Sequence, residues 1–138
     1  MALFTGTHVN KLDKKGRVSV PASFRAALTG LSFAGVHAYP SRAGVPAIEC
    51  CGADWMERLR ERIGSFEPED VDGLKRAMAV FSNTHDLPFD PEGRITLPPK
   101  FIQHAGLDGQ VAFVGVGHIF QIWEPARFEQ FSNGGGHA

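Results

Sequence analysis

The residues able to do chemistry sit in two short segments. Asp13, Lys14, Lys15, Gly16 and Arg17 place a carboxylate four positions before a guanidinium, and Asp90, Pro91, Glu92, Gly93 and Arg94 repeat that spacing 77 positions later. Such an Asp and Arg could bind a substrate carboxylate and move a proton, or simply lock a turn by pairing with each other. Neither use explains Lys14 and Lys15, whose charges only add repulsion to a turn held for structure alone. Contact with phosphate does explain them, and arginine adds a forked donor set that can meet the guanine edge bidentately in the major groove. A carboxylate that holds the arginine in place lowers the entropy lost on binding. The candidate nucleic-acid contacts are therefore Lys14, Lys15, Arg17 and Arg94, with Asp13, Gly16, Asp90 and Gly93 orienting them.

Other chemistries find little support. There is no Ser-His-Asp order, no glycine-rich phosphate loop and no nucleophile in a tuned setting. The run "GVGHIF" at 115–120 lacks the third glycine of a dinucleotide loop and reads as a hairpin turn. Histidines at 8, 37, 85, 104, 118 and 137 show no ligand spacing, and scattered surface or satisfied imidazoles account for them. Cys50 and Cys51 are adjacent, a strained geometry for a mutual bridge, and read as buried small residues. No catalytic residue, metal or cofactor is expected, so the chain reads as a non-enzyme.

The motifs need a scaffold, and the scaffold is duplicated. Laying Asp13 on Asp90 also lays Gly16 on Gly93, Arg17 on Arg94, Val18 on Ile95, Val20 on Leu97, Pro21 on Pro98 and Phe24 on Phe101. With one residue dropped, Gly30 and Leu31 fall on Gly106 and Leu107. Val18 and Val20 alternate with Arg17 and Ser19, as Ile95 and Leu97 do with Arg94 and Thr96, which predicts a half-buried strand launched from each Asp-Gly turn. Pro21 and Pro98 suit the first turn of a helix, and Gly30 and Gly106 end it.

An apolar hairpin-like stretch follows in each half, "SFAGVHAYP" with "AIECC" and then "QVAFVGVGHIFQIW", and each leads into an amphipathic helix. The first helix is expected to start near Asp54 as N-cap, with Trp55, Leu59 and Ile63 inward. The second is expected to be a shorter copy opened by Pro125, with Phe128 and Phe131 inward, before "NGGGHA" frays. Between the halves Val71, Leu74, Met78 and Phe81 predict the packed stripe of a linker helix. The expected division is a first repeat over 1–66, the linker helix over 67–84, a second repeat over 85–132 and a flexible tail over 133–138. The class is α+β, mainly β with short helices.

Composition sets the outer limits. At 138 residues and 43% hydrophobic, the chain can bury a real core, and no apolar run approaches the roughly 20 residues that cross a bilayer. Its start lacks the pattern of a signal peptide, so a cytoplasmic place and no membrane contact are expected. The net charge of −1 hides an asymmetry: Lys11, Lys14, Lys15, Arg17, Arg25 and Arg42 face Asp13 alone in residues 1–45, a balance of +5 that leaves −6 for the rest. One face of a neutral chain can therefore attract a phosphate-rich partner.

The two D-x-x-x-R turns, followed by Val-Ser-Val-Pro and Ile-Thr-Leu-Pro, resemble the signature of the MraZ family of bacterial transcription regulators. The stretches "FTGTHVNKLDKKGRVSVPASFR" and "VAFVGVGHIFQIWEPARFEQF" resemble that family's opening and its second-half ending, so the resemblance spans nearly the whole chain. It implies an AbrB/SpoVT-like fold, with two swapped-hairpin, double-psi-barrel-like repeats forming an intramolecular pseudo-dimer. It also implies a homo-oligomeric ring that binds double-stranded DNA at direct repeats in the promoter of the division and cell-wall gene cluster. Members repress or modulate that cluster, which would make this chain nucleoid-associated.

Carried over, the DNA-facing turns are Asp13 with Arg17 and Asp90 with Arg94. Two departures stand out. Pro91 and Glu92 replace the lysine pair, so the first turn should dominate phosphate attraction, and "GVHAYPSRAGVPAIECC" is unlike the family's first hairpin. Two rival readings are an antitoxin-like interaction module, which an adjacent toxin gene would mark, and a small β-barrel enzyme, which the missing nucleophile disfavours.

Overall fold

The shift that aligns the motifs also aligns the elements around them, and the order of elements matches beyond. A computed structural model describes residues 1–135 of the chain. Its first half runs β1 (Thr7–Lys11), β2 (Arg17–Ser19), α1 (Ala22–Ala27), β3 (Gly35–Pro40), β4 (Ile48–Cys51) and α2 (Ala53–Ile63). After the linking α3 (Val71–Phe81) come β5 (His85–Pro88), β6 (Arg94–Thr96), α4 (Pro99–Ala105), β7 (Gln110–Gly115), β8 (Phe120–Trp123) and α5 (Pro125–Gly135). Element for element the second half copies the first, and the class is α+β with antiparallel strands and short helices.

Six strands form one sheet in the order β1-β7-β8-β4-β3-β5, and β2 with β6 forms a separate two-stranded ribbon. The first strand of each half pairs inside the other half: β1 runs antiparallel to β7 and β5 to β3. Exchanging the halves leaves the sheet order unchanged. The approximate two-fold passes between Val18 and Ile95, which face each other in the ribbon, and between Glu49 and Gln121 in the sheet.

The main core fills the space between sheet and ribbon. Val18, Val20, Ile95 and Leu97 point in from the ribbon and its exits, each about 1% exposed, as the period-2 pattern requires. Phe24 from α1 packs its ring on Phe4, Phe113 and Phe120, with centroids 4.9 to 6.5 Å apart. Such ring pairs add about 0.5–1.5 kcal/mol each beyond burial, and they fix α1 over the sheet. Phe101 does the corresponding work under α4. The other sheet face is covered by α2 and α3 over Tyr39, Cys51, Leu59 and Val80, and by α5 over Ala112 and Trp123. Cys50 and Cys51 are wholly buried, as expected, and burial pushes both thiols up and keeps them protonated.

Five local expectations change. The buried face of α3 is Gly73, Ala77 and Val80, with Phe81 of the expected stripe packed beside it, while Val71, Leu74 and Met78 are 58%, 42% and 52% exposed. Val80 packs with Tyr39 and Leu59, and a Cβ on Gly73 would meet Phe66 at 2.8 Å, so the smaller residues take the inward face and the larger apolar stripe is left outside. The N-cap of α2 is Gly52; Asp54 sits in the first turn and accepts the Ala2 amide at 2.9 Å, tying down the N-terminal arm. Helix α5 matches α2 at eleven residues rather than being shorter, because its helical hydrogen bonding carries on through Ser132 and Asn133. Phe128 is half-buried on Trp123, but Phe131, although its ring lies 5.0 Å from Trp123, remains 54% exposed at the rim. Of the expected tail, 133–135 belong to α5 and 136–138 lie outside the described residues.

Candidate nucleic-acid interface

Each D-x-x-x-R segment is a turn built around its own carboxylate. Asp13 Oδ1 accepts the amides of Lys15 at 2.9 Å and Arg17 at 2.8 Å, and Oδ2 accepts Arg17 Nε at 2.7 Å. Asp90 does the same with the amides of Glu92 and Arg94, both at 2.9 Å, and with Arg94 Nε at 2.8 Å. Gly16 and Gly93 close the turns at φ +81° and +78°, a region L side chains rarely enter. Asp, Gly and Arg at this spacing therefore specify one local structure twice.

The electrostatics follow from those bonds. The Arg17 amide, helped by the Arg17 side chain and the Lys15 amide and opposed by partial burial, holds the Asp13 carboxyl below the usual range. The Arg94 amide does the same for Asp90, and the hydrogen bond that Arg94 donates to Asp90 raises the guanidinium in return. Each carboxylate engages Nε, and among the described residues no hydrogen bond joins it to the outer amino groups of the guanidinium. Arg17 and Arg94 side chains are 35% and 26% exposed, so neither is entombed. In the second turn Glu92 Oε1 draws Arg94 Nη2 at 3.6 Å, a competitor the first turn lacks.

The ribbon brings the turns together. The Leu97 amide donates to Gly16 O at 2.8 Å and the Val20 amide to Gly93 O at 3.2 Å, so each turn is fastened to the other half's chain. In register, Arg17 stands opposite Thr96 and Ser19 opposite Arg94. With Val18 and Ile95 inward, these four residues face outward as one tile of two guanidiniums and two hydroxyls on opposite diagonals. Lys14 and Lys15 are exposed beside it, and among the described residues neither forms an ion pair. The structure thus brings the two turns to the same ribbon, with Lys14 and Lys15 exposed, Asp13, Arg17, Asp90, Gly93 and Arg94 partly exposed, and Gly16 buried beneath.

Two features escaped sequence reasoning. His8 and His85 are copies under the same 77-residue shift, and each ring packs edge-on against the phenylalanine of its own half, Phe24 at 5.4 Å and Phe101 at 5.0 Å. Extending the alignment eight residues upstream of Gly16 would have found the pair. The second is Arg25, whose guanidinium lies on Gly93 of the other half's turn; a Cβ there would meet Nη1 at 2.0 Å. No local signal marks it, because the contact crosses between halves. Among the described residues no cluster of three or more His, Cys, Asp or Glu could hold a metal, and no helix is long and apolar enough to cross a membrane.

Comparison with known proteins bears on this surface. Residues 3–38 and 80–134 match the family described as "MraZ protein, putative antitoxin-like", a match that takes in both turns and skips β4, α2 and most of α3. A Pelagibacter ubique protein named Transcriptional regulator MraZ is 46% identical over 129 residues, covering 94% of this chain and 83% of that protein. Proteins of the same name from Rickettsia canadensis and Rickettsia bellii are 44% and 45% identical, covering 96% and 88% of this chain and 89% and 81% of theirs. With the twin turns, the two-copy order and this extent of identity in agreement, the chain belongs to the MraZ family.

Proposed function

We propose that this protein is a sequence-specific DNA-binding transcriptional regulator whose contact surface is the β2–β6 ribbon with its two flanking turns. One observation carries the reading: two arginine turns, each braced in the same way by its own aspartate, put their arginines on a single outward tile, with no hydrogen bond between the bracing aspartate and the guanidinium's outer amino groups among the described residues. An antiparallel two-stranded ribbon is of a size to enter the major groove, where arginine reads guanine while the flanking lysines meet phosphate. The names of the relatives point the same way.

The finer reading is an AbrB/SpoVT-like pseudo-dimer, supported by the exchange of first strands between halves. Subunits assemble into a homo-oligomeric ring on direct repeats in the promoter of the division and cell-wall gene cluster and repress it, which places the protein on the nucleoid. Assembly is needed because one subunit offers few cations, and linked subunits multiply avidity when the boxes are spaced to suit them. The exposed stripe Val71, Leu74 and Met78 gives subunits an apolar surface to share.

The test is a footprint on the region upstream of the protein's own gene, with a solution mass measurement on the same sample. Protection of evenly spaced boxes by a multimer is the expected result; no protection at moderate salt refutes the reading. The family description's mention of antitoxins favours a second reading, a toxin-neutralising partner. A small toxin gene beside this one, whose product binds it, would support that instead.

A further inference from the structure

The two turns are not electrically equal as written in the sequence. Asp13 to Arg17 sum to +2, whereas Asp90 to Arg94 sum to −1, because Pro91 and Glu92 stand where the first turn has lysines. A turn of net negative charge repels phosphate, so the second copy looks unfit for the use proposed for the first.

The structure supplies a cation from elsewhere. Arg25, on α1 of the first half, lays its guanidinium along Gly93, with Nη1 2.0 Å, Cζ 2.8 Å and Cδ 3.0 Å from where a Cβ would stand. Glycine at 93 therefore both permits the positive φ and leaves room for the side chain to lie on the backbone. The residue in the same place over the first turn is Ile102, whose Cδ1 lies 3.5 Å from the corresponding point on Gly16. Besides its own arginine, each turn thus has further positive charge beside it: Lys14 and Lys15 within the first, Arg25 above the second. Arg25 is half-buried, and among the described residues its guanidinium forms no ion pair and donates no hydrogen bond to the protein. It also lines an open cleft of about 520 Å³ with His8, Asn10, Ser19 and Ser23, and Ser19 stands opposite Arg94 in the ribbon. The cleft borders the outward tile, and the side chains of His8, Asn10, Ser19, Ser23 and Arg25 give it the donors to seat a sugar–phosphate strand.

We propose that Arg25 is the phosphate-contacting cation of the second turn, lent across the two-fold to replace the lysines that Pro91 and Glu92 displace. The inference rests on the DNA-binding reading of the tile and adds a residue, a ligand atom class and a division of labour to it. Aligned repeats hide this residue, since its charge serves the half that does not encode it.

The experiment compares full-length parent, Arg25→Met, Arg25→Lys and Arg17→Ala on a duplex carrying the upstream region of the protein's own gene, titrated across a salt series. Removing one phosphate contact from B-DNA should make the slope of log K against log salt shallower by about 0.9, which at 0.1 M salt is a loss of about eightfold. Arg25→Met should show both changes, and Arg25→Lys should recover most of each. In an Arg94→Ala background the Arg25→Met loss should be non-additive, and in an Arg17→Ala background additive. If Arg17→Ala weakens binding while Arg25→Met matches the parent in affinity and slope, the inference falls and the DNA reading stands. If both variants match the parent, both fall. Equal losses in the Met and Lys variants with a parental slope would make Arg25 a packing residue and overturn the proposal, and a thermal melt of each variant identifies that case directly.

Discussion

Replacing Lys14 and Lys15 together by alanine tests the interface where its electrostatics are simplest. Both side chains are exposed and free of ion pairs among the described residues, and the turn itself depends on the Lys15 amide rather than on either ammonium. The fold should accordingly be unaffected, with stability changing by no more than about 0.5 kcal/mol. If each lysine neutralises one phosphate, removing two contacts should make the salt slope shallower by about 1.8 for every engaged subunit. Extrapolated from a 1 M reference to 0.1 M salt, that is about 1.8 decades, or roughly sixtyfold weaker binding. Fluorescence anisotropy on a labelled duplex at five or six salt concentrations measures it. A parental slope in the double variant, with an unchanged melting curve, would show that the first turn does not touch phosphate and would remove the main support for a groove-facing ribbon.

Other outcomes follow from the same geometry. Arg17→Ala should weaken cognate binding more than binding to a scrambled duplex, since a base-edge contact worth about 1–3 kcal/mol discriminates sequences; equal losses on both would mean phosphate contact only. Asp13→Asn should weaken cognate binding about tenfold despite removing a negative charge, because the amide nitrogen facing Arg17 Nε cannot accept its bond and the guanidinium is released to wander. Both folded-state carboxyls lie below their ordinary 3.8, so the two turns add stability that is complete above pH about 4 and disappears as pH falls through the folded-state values. Urea midpoints of parent and an Asp13→Asn, Asp90→Asn variant should therefore converge in acid, and a gap that widens there would reverse the assignment. Phe24→Ala, which opens a cavity among Phe4, Phe113 and Phe120, should cost about 3–5 kcal/mol in urea denaturation.

Much of this interface was legible because it is local. Asp, Gly and Arg within five residues determine the turn, and the alternation of Val18 and Val20 with Arg17 and Ser19 determines which face is wet. The inward stripe of α2, Trp55, Leu59 and Ile63, was equally visible, with Leu59 fully buried and its neighbours packed on it. What pattern could not supply was the identity of each partner. On α3 two interleaved stripes satisfy helical periodicity, and hydropathy favours Val71, Leu74 and Met78 over the smaller residues that packing against Tyr39, Leu59 and Phe66 selects. Arg25 was invisible because its partner turn lies in the other repeat, where its own counterpart is an isoleucine. Strand pairing between halves is likewise set by long-range geometry that no local window contains.

The exchange of outer strands has a consequence for how the molecule is made. Thr7 finds its neighbour only at Val114 and Lys11 only at Gln110, so a chain growing from its N-terminus must hold β1 unpaired until most of the protein has left the ribosome. Each half completes its part of the sheet only with a strand lent by the other. A cut within the α2–α3 connection would leave two fragments interlocked by their edges rather than two independent modules, and any sequence drift in one copy is judged against the lodging it gives its twin.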